Sequence, residues 1–179
     1  YSKISRVFSP TGTSCMMRKD YYLKIGMFDS DFFLYCEDYD MGWRIINDGK
    51  VNVFSPDSLV YHKEHSGGLT LESSPGKELY YYYQSRNRIL TIIKNCPFPF
   101  LLIMLPISLT ASIIQGLLFL MKGYSNLAKS TFSGTADSLF SIDTLKWWSK
   151  RKRTKKSFRF QDYTLGFSGT INLLLSKKR

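Results

Sequence analysis

Cysteine and histidine are scarce in this chain of 179 residues, with three of the former and two of the latter. Cys15, Cys36 and Cys96 lie far apart and form no CxxC pair. That spacing argues against a disulfide framework and a cysteine zinc site, and it suits a reducing compartment. His62 and His65 confine any histidine metal chemistry to one short stretch. No basic start, apolar middle and cleavage site of a secretory signal is seen. The chain opens at Tyr1 rather than Met, and it is expected to be the C-terminal part of a longer protein. Internal repeats and RNA-binding motifs are also missing.

Acidic residues nearly vanish from the second half. Residues 1–95 carry 12 Lys/Arg against 11 Asp/Glu, whereas residues 96–179 carry 13 against 3. A balanced domain is thus followed by a basic appendage, whose partner is nucleic acid or an anionic membrane surface. Between Asn95 and Met121 there are 27 residues without one charge. About 20 apolar residues suffice to cross a hydrocarbon core, so this stretch points to a membrane. Trp147 and Trp148, expected at a membrane interface, then lead into a polybasic run over 150–156, and such a run adds about 1 kcal/mol per basic residue at an anionic leaflet. Without an RNA motif beside it, nucleic acid is not expected. Three parts follow: a domain over 1–95, an apolar membrane-associated segment over 96–122, and a basic tail over 123–179.

Within the first part, Thr11 to Arg18 is expected to form a short buried strand entered through a Pro10/Gly12 turn. Lys19 to Ile25 suits a brief helix that Gly26 ends in a left-handed conformation. A helix from about Asp38 puts Met41 and Ile45 on one face, and Gly49 stops it. Val51 to Phe54 alternates as a strand, and Leu59 to Tyr61 reads as another that delivers His62. The segment from Glu64 to Gly76 is a loop. Lys77 to Asn95 is one long helix ended by Pro97, with Tyr80 to Tyr83 circling its axis.

What is concentrated is acid in apolar surroundings. Glu37, Asp38 and Asp40 sit inside Phe32-Phe33-Leu34-Tyr35-Cys36-Glu37-Asp38-Tyr39-Asp40-Met41-Gly42-Trp43-Arg44. Carboxylates in such company gather at active sites. They equally suit the start of a helix, where they meet orphan backbone donors and the helix dipole. Three schemes use neighbouring carboxylates: a glycosidase pair, a hard-metal site, and an inverting transfer in which one carboxylate takes a proton from an acceptor hydroxyl. Adjacency on one junction disfavours the first, and spacing alone does not choose between the others. Arg86 and Arg88 either grip a phosphate or salt-bridge the domain surface.

The run TGTSCMMRKDYYLKIGMFDSDFFLYCEDYDMGWRIINDGKVNVFSPDSLVYH, followed by RNRIL on a tyrosine-rich helix, resembles the C-terminal half of family 2 glycosyltransferases. It is most like their rhamnosyltransferase-like members, which build cell-surface polysaccharides. The resemblance covers about residues 7–95 and implies an α/β class, the acceptor-side part of a GT-A (Rossmann-like) domain, here followed by membrane-associated helices. It implies Asp38 as catalytic base, with Glu37 beside it on the acceptor or supporting the loop. His62 is implied as a ligand for Mg2+ or Mn2+, and Arg86, Arg88 and Trp43 as substrate-binding residues. The implied partners are a nucleotide-sugar donor and a glycan or lipid-linked acceptor. The family's DxD metal motif is absent upstream of the cluster, and Asp29-Ser30-Asp31 falls in a different loop. This segment alone is therefore expected to bind donor poorly.

Nucleotide-sugars are cytosolic, and basic flanks also favour that side. Location on the cytoplasmic face is expected, with the apolar segment re-entrant or lying in the interface, bent at Pro106, or paired with a weak second segment near 127–142, and not simply crossing. The alternative from another class is a non-catalytic membrane-associated module of a polysaccharide-assembly complex.

Overall fold

A computed structural model describes residues 3–61 and 76–150. These fall into two units: 3–29 with 38–61, and 30–37 with 76–150. The expected loop over Glu64 to Gly76 is described only at Gly76, and His62, His65 and the polybasic run beyond Lys150 lie outside the described residues.

In the first unit, β1 (Ser5–Val7) pairs antiparallel with β2 (Asn52–Phe54), with Arg6 opposite Val53. Helix α1 spans Lys19–Ile25 and α2 spans Glu37–Asn47. Gly26 at φ 92° closes α1, and the Met27 N–H donates to the Tyr22 carbonyl while the Gly26 N–H donates to Leu23. This double return is the left-handed glycine stop expected from sequence. Met41 and Ile45 of α2 bury against Ile25, with Met17, Tyr21 and Tyr22 packed around them. Gly49, at φ 79°, follows the end of α2.

Two expected strands are corrected. Thr11 to Arg18 is irregular and almost wholly exposed, with one tight Thr11–Ser14 bridge and Met16 in solvent. Leu59 to Tyr61 is likewise exposed and outside any strand. A strand needs a neighbour to take its backbone hydrogen bonds, and neither segment meets one among the described residues. The described sheet has only two short strands, too few to make or exclude a Rossmann-like domain.

The second unit is helical. A 3-10 turn at Ser30–Phe32 precedes the loop to α2, and then come α3 (Lys77–Asn95), α4 (Phe98–Met121), α5 (Ser125–Phe140) and α6 (Ile142–Lys150). The bounds of α3 are those read from sequence. Proline at the first positions of α4 costs nothing, because the lost N–H has no helical partner there. The helix continues through Pro106. Phe32, Ile89, Leu90, Ile93 and Trp147 form the main core. Trp147 is 1% exposed, which corrects its expected place at a membrane interface, whereas Trp148 stays partly exposed.

Helix α5 packs on α3 and α4 through Ala128, Thr131, Gly134, Thr135 and Ser138, all buried. Their hydroxyls return to the carbonyls of Leu127, Thr131 and Thr135, so burial leaves them satisfied. Small residues are what the close approach requires: a Cβ on Gly134 would strike the Tyr82 carbonyl, and one on Gly116 would strike the Phe132 ring.

The Tyr82 hydroxyl donates to Asp137 Oδ2 at 2.6 Å, tying α3 to α5. Burial, and then this bond to a carboxylate, pushes the Tyr82 pKa up to about 12. Tyr21, bonded to Asp48 at 3.2 Å, is raised to about 12 in the same way, by burial first. Both folded values lie above the unfolded value near 10. Their stabilisation is therefore complete below the unfolded pKa and is lost as pH climbs through the folded one. Phenolate absorbance in alkaline titration should show two tyrosines ionising near pH 12, one of them removed by Tyr82→Phe. All twelve tyrosines ionising in a single step near the unfolded value would contradict the pair.

Candidate active site

Glu37 and Asp38 open α2, as the sequence suggests. Asp38 is half-buried, and two backbone N–H groups orient its carboxylate: Gly12 donates to Oδ2 at 3.1 Å and Tyr39 to Oδ1 at 2.8 Å. The Ser9 hydroxyl donates to the Asp38 carbonyl at 2.7 Å. The 9–12 segment lies so close to α2 because position 42 is glycine; a Cβ there would strike the Ser9 backbone. Asn52 adds a further tie, donating to the Gly42 carbonyl at 3.0 Å and the Phe8 carbonyl at 2.7 Å. Ser9 and Gly12 also line an open cleft of about 1380 Å³, together with Tyr21, Lys24, Asn52 and Val60. Asp38 thus stands directly behind one wall of the cleft.

Asp40 plays a different part from the one expected of it. It is fully buried, and its Oδ2 accepts from Arg44 Nε at 2.8 Å. The same guanidinium donates to the Ile25 carbonyl at 2.6 Å and the Met27 carbonyl at 2.7 Å. The pair therefore locks α2 to the end of α1 instead of serving the helix dipole. Trp43 is buried, its ring 5.3 Å from that of Phe8 in an edge-on contact.

The loop before α2 is held from α3. Asn87, fully buried, donates to the carbonyls of Phe32, Leu34 and Tyr35 at 2.7, 2.7 and 2.9 Å. Arg86 donates to the Asp31 carbonyl at 3.0 Å and lies 4.6 Å over the Trp147 ring. These ties restrain an unusual backbone: Phe33, Tyr35 and Cys36 have φ of 53°, 66° and 67°. Left-handed conformations cost non-glycine residues roughly 1–2 kcal/mol each, so this loop persists only because its surroundings impose it. Sequence reasoning missed Asn87, although an asparagine between two arginines on a helix is a residue able to serve several carbonyls at once. Asn87→Ala should cost at least about 2 kcal/mol and speed proteolysis at 33–36, since it leaves enclosed acceptors unmet. An unchanged cleavage rate would show that the loop holds itself.

Tyr35 and Tyr80 meet at 4.8 Å, Phe33 and Tyr83 at 5.3 Å, and Tyr81 and Phe119 at 4.7 Å. All four tyrosines of α3 are thus in ring packing or hydrogen bonding. Arg88 donates to Ser112 Oγ at 2.6 Å, while its enclosed Nε meets no acceptor. Burial lowers its pKa from the usual arginine value. Glu37 Oε2 is also enclosed without a donor. Among the described residues no three of His, Cys, Asp and Glu converge to hold a metal ion. These residues do not fit a metal by themselves, and His62 lies outside them.

No family model matches the chain, and no solved structure matches it. Over 59 residues it is 34% identical to N-acetylglucosaminyl-diphospho-decaprenol L-rhamnosyltransferases of two Mycobacterium tuberculosis strains, CDC 1551 / Oshkosh and ATCC 25618 / H37Rv. The matched stretch is 32% of this chain and 19% of each relative. The chain therefore spans about a fifth of the length of the curated relatives it matches, and it carries a glycosyltransferase-like segment.

Proposed function

We propose that this chain is the acceptor-side part of an inverting glycosyltransferase of the family 2, GT-A type, acting in cell-surface polysaccharide synthesis. The observation that carries the reading is the 59-residue similarity to rhamnosyltransferases. The presentation of Asp38 supports it: a carboxylate oriented by two backbone N–H groups, half-exposed behind a cleft wall. In the proposed reaction Asp38 takes the proton of an acceptor hydroxyl as that oxygen bonds to the anomeric carbon of the donor sugar. The bond from that carbon to the nucleoside diphosphate breaks, and the diphosphate leaves from the opposite face, inverting the centre.

For Glu37, support of the loop suits its enclosed Oε2 better than contact with the acceptor. Of the two arginines, Arg86 serves the loop and the Trp147 ring and Arg88 is bonded to Ser112 on the enclosed face of α4, so neither is proposed as a phosphate contact. The buried Trp43 is proposed as a wall behind the site and not as a direct contact. The Mg2+ or Mn2+ expectation rests on His62 alone, and no step is routed through it.

By analogy with the relatives' names, the acceptor is a polyprenyl-diphosphate-linked sugar and the donor an activated deoxyhexose. A lipid-linked acceptor calls for attachment at the cytoplasmic face of the membrane, for which α4 and the basic tail are suited. The test is transfer of radiolabelled sugar from a nucleoside diphosphate to such an acceptor by the full-length protein. Product with inverted anomeric configuration supports the proposal. Absence of any transfer, with polysaccharide enzymes nevertheless co-purifying, would favour the non-catalytic module.

A further inference from the structure

Helix α4 is long and apolar enough to cross a membrane, with only 22% of its most apolar window buried. Leu102, Ile103, Ile107, Ile113, Ile114, Leu117 and Leu118 are all exposed. What decides between crossing and lying flat is the material packed on its other side. Ser108, Ser112 and Gly116 form the buried face, and there Arg88 of α3 donates to Ser112 at 2.6 Å. Helix α4 is about 36 Å long at 1.5 Å per residue, and Ser112 lies about 21 Å from its start. In a crossing helix of that length, the Arg88 guanidinium would sit close to the middle of a hydrocarbon layer about 30 Å thick.

No carboxylate among the described residues pairs with Arg88, and a lone cation at that depth is strongly disfavoured. Helix α5 offers no second span to shield it. Its exposed positions are Ser125, Asn126, Lys129, Ser133, Ala136 and, at the very end, Phe140. That is a face made for water, on a helix packed along α4. The unit therefore has one apolar side, supplied by α4, and a polar side supplied by α5. The chain from residue 96 onward carries 13 Lys/Arg against 3 Asp/Glu, which complements an anionic leaflet.

We infer that α4 lies in the plane of one anionic leaflet, its exposed aliphatic face seated between headgroups and acyl chains, without crossing the bilayer. The partner is the lipid surface itself, and the insertion depth is that of an interfacial helix, about 5–10 Å. The inference rests on the membrane attachment proposed above and adds its geometry.

Two measurements on the full chain test it. The first uses epitope tags at both ends in sealed vesicles of phosphatidylcholine and phosphatidylglycerol. External protease should remove both tags; protection of one tag alone would overturn the in-plane placement while leaving attachment intact. The second uses single cysteines, in a cysteine-free background, labelled with a fluorophore at Ile103, Ile107, Ile114 or Leu118. Brominated lipids should quench all four within about twofold of one another at shallow depth, and Ser133→Cys should escape quenching. Deep quenching at Ile107 and Ile114 with shallow ends would indicate a crossing helix and sink the proposal. Failure of the chain to sediment with these vesicles would remove the membrane attachment and the placement together, without touching the transfer assay.

Discussion

Asp38→Asn in the full-length enzyme should lower turnover by about 10²–10⁴-fold while donor affinity changes by less than about twofold. The amide keeps the shape of the carboxylate and an oxygen to accept the Gly12 N–H at 3.1 Å, so the start of α2 should hold its place. What it loses is the ability to take a proton. A general base acts only as the acceptor hydroxyl attacks, so its removal should appear in kcat and leave donor binding alone. Turnover surviving within about tenfold would remove Asp38 from the base role. Asp40→Asn is the informative comparison, because Asp40 is fully enclosed and paired with Arg44. It should act on stability first, and any loss of activity should follow the loss of fold.

Arg44→Met should destabilise the first unit by about 3–5 kcal/mol, read from denaturant unfolding. The methionine restores much of the apolar stem but supplies no donor. Asp40, 0% exposed, would lose its guanidinium, and the carbonyls of Ile25 and Met27 would lose theirs. Removing one partner of a buried pair costs more than the pair contributes, because the other charge stays enclosed. The double variant Asp40→Leu with Arg44→Met should therefore recover a large part of the loss. If the single and double variants are equally destabilised, the ion pair is not what ties α2 to α1. A change below about 1 kcal/mol in the single variant would show that water reaches Asp40.

Where the sequence could be read, the signal was local. The span Lys19–Ile25 with its glycine stop and the span Lys77–Asn95 with its following proline both came from end signals that act within a few residues. Met41 and Ile45 came from helical periodicity, and β2 from alternation. The misread segments are those whose conformation depends on distant chain. Thr11 to Arg18 has the composition of a strand, yet a strand is only as real as its neighbour, and Thr11 finds its bridge in Ser14. Helix α5 is rich in serine and threonine and holds a glycine, poor helix signals in isolation. Those small side chains are what lets its backbone approach Tyr82, so the feature that weakens the signal near 127–142 is the one that packs the helix.

For the candidate site the same division holds. The sequence by itself determined that three acids stand at one junction, that the second half is basic and nearly free of acid, and that 27 residues run without charge. Composition and spacing are one-dimensional quantities, and these conclusions needed nothing more. Only the tertiary structure decided which partners each acid meets. Glycine at position 42 lets the 9–12 segment reach Asp38, while Arg44 reaches back to enclose Asp40. It also turned Arg86 from a surface cation into a clasp on Asp31 and Trp147, and it brought Arg88 to Ser112 at the middle of α4. A side chain's partners are set by which backbones approach within a few ångströms, and that distance is a property of packing.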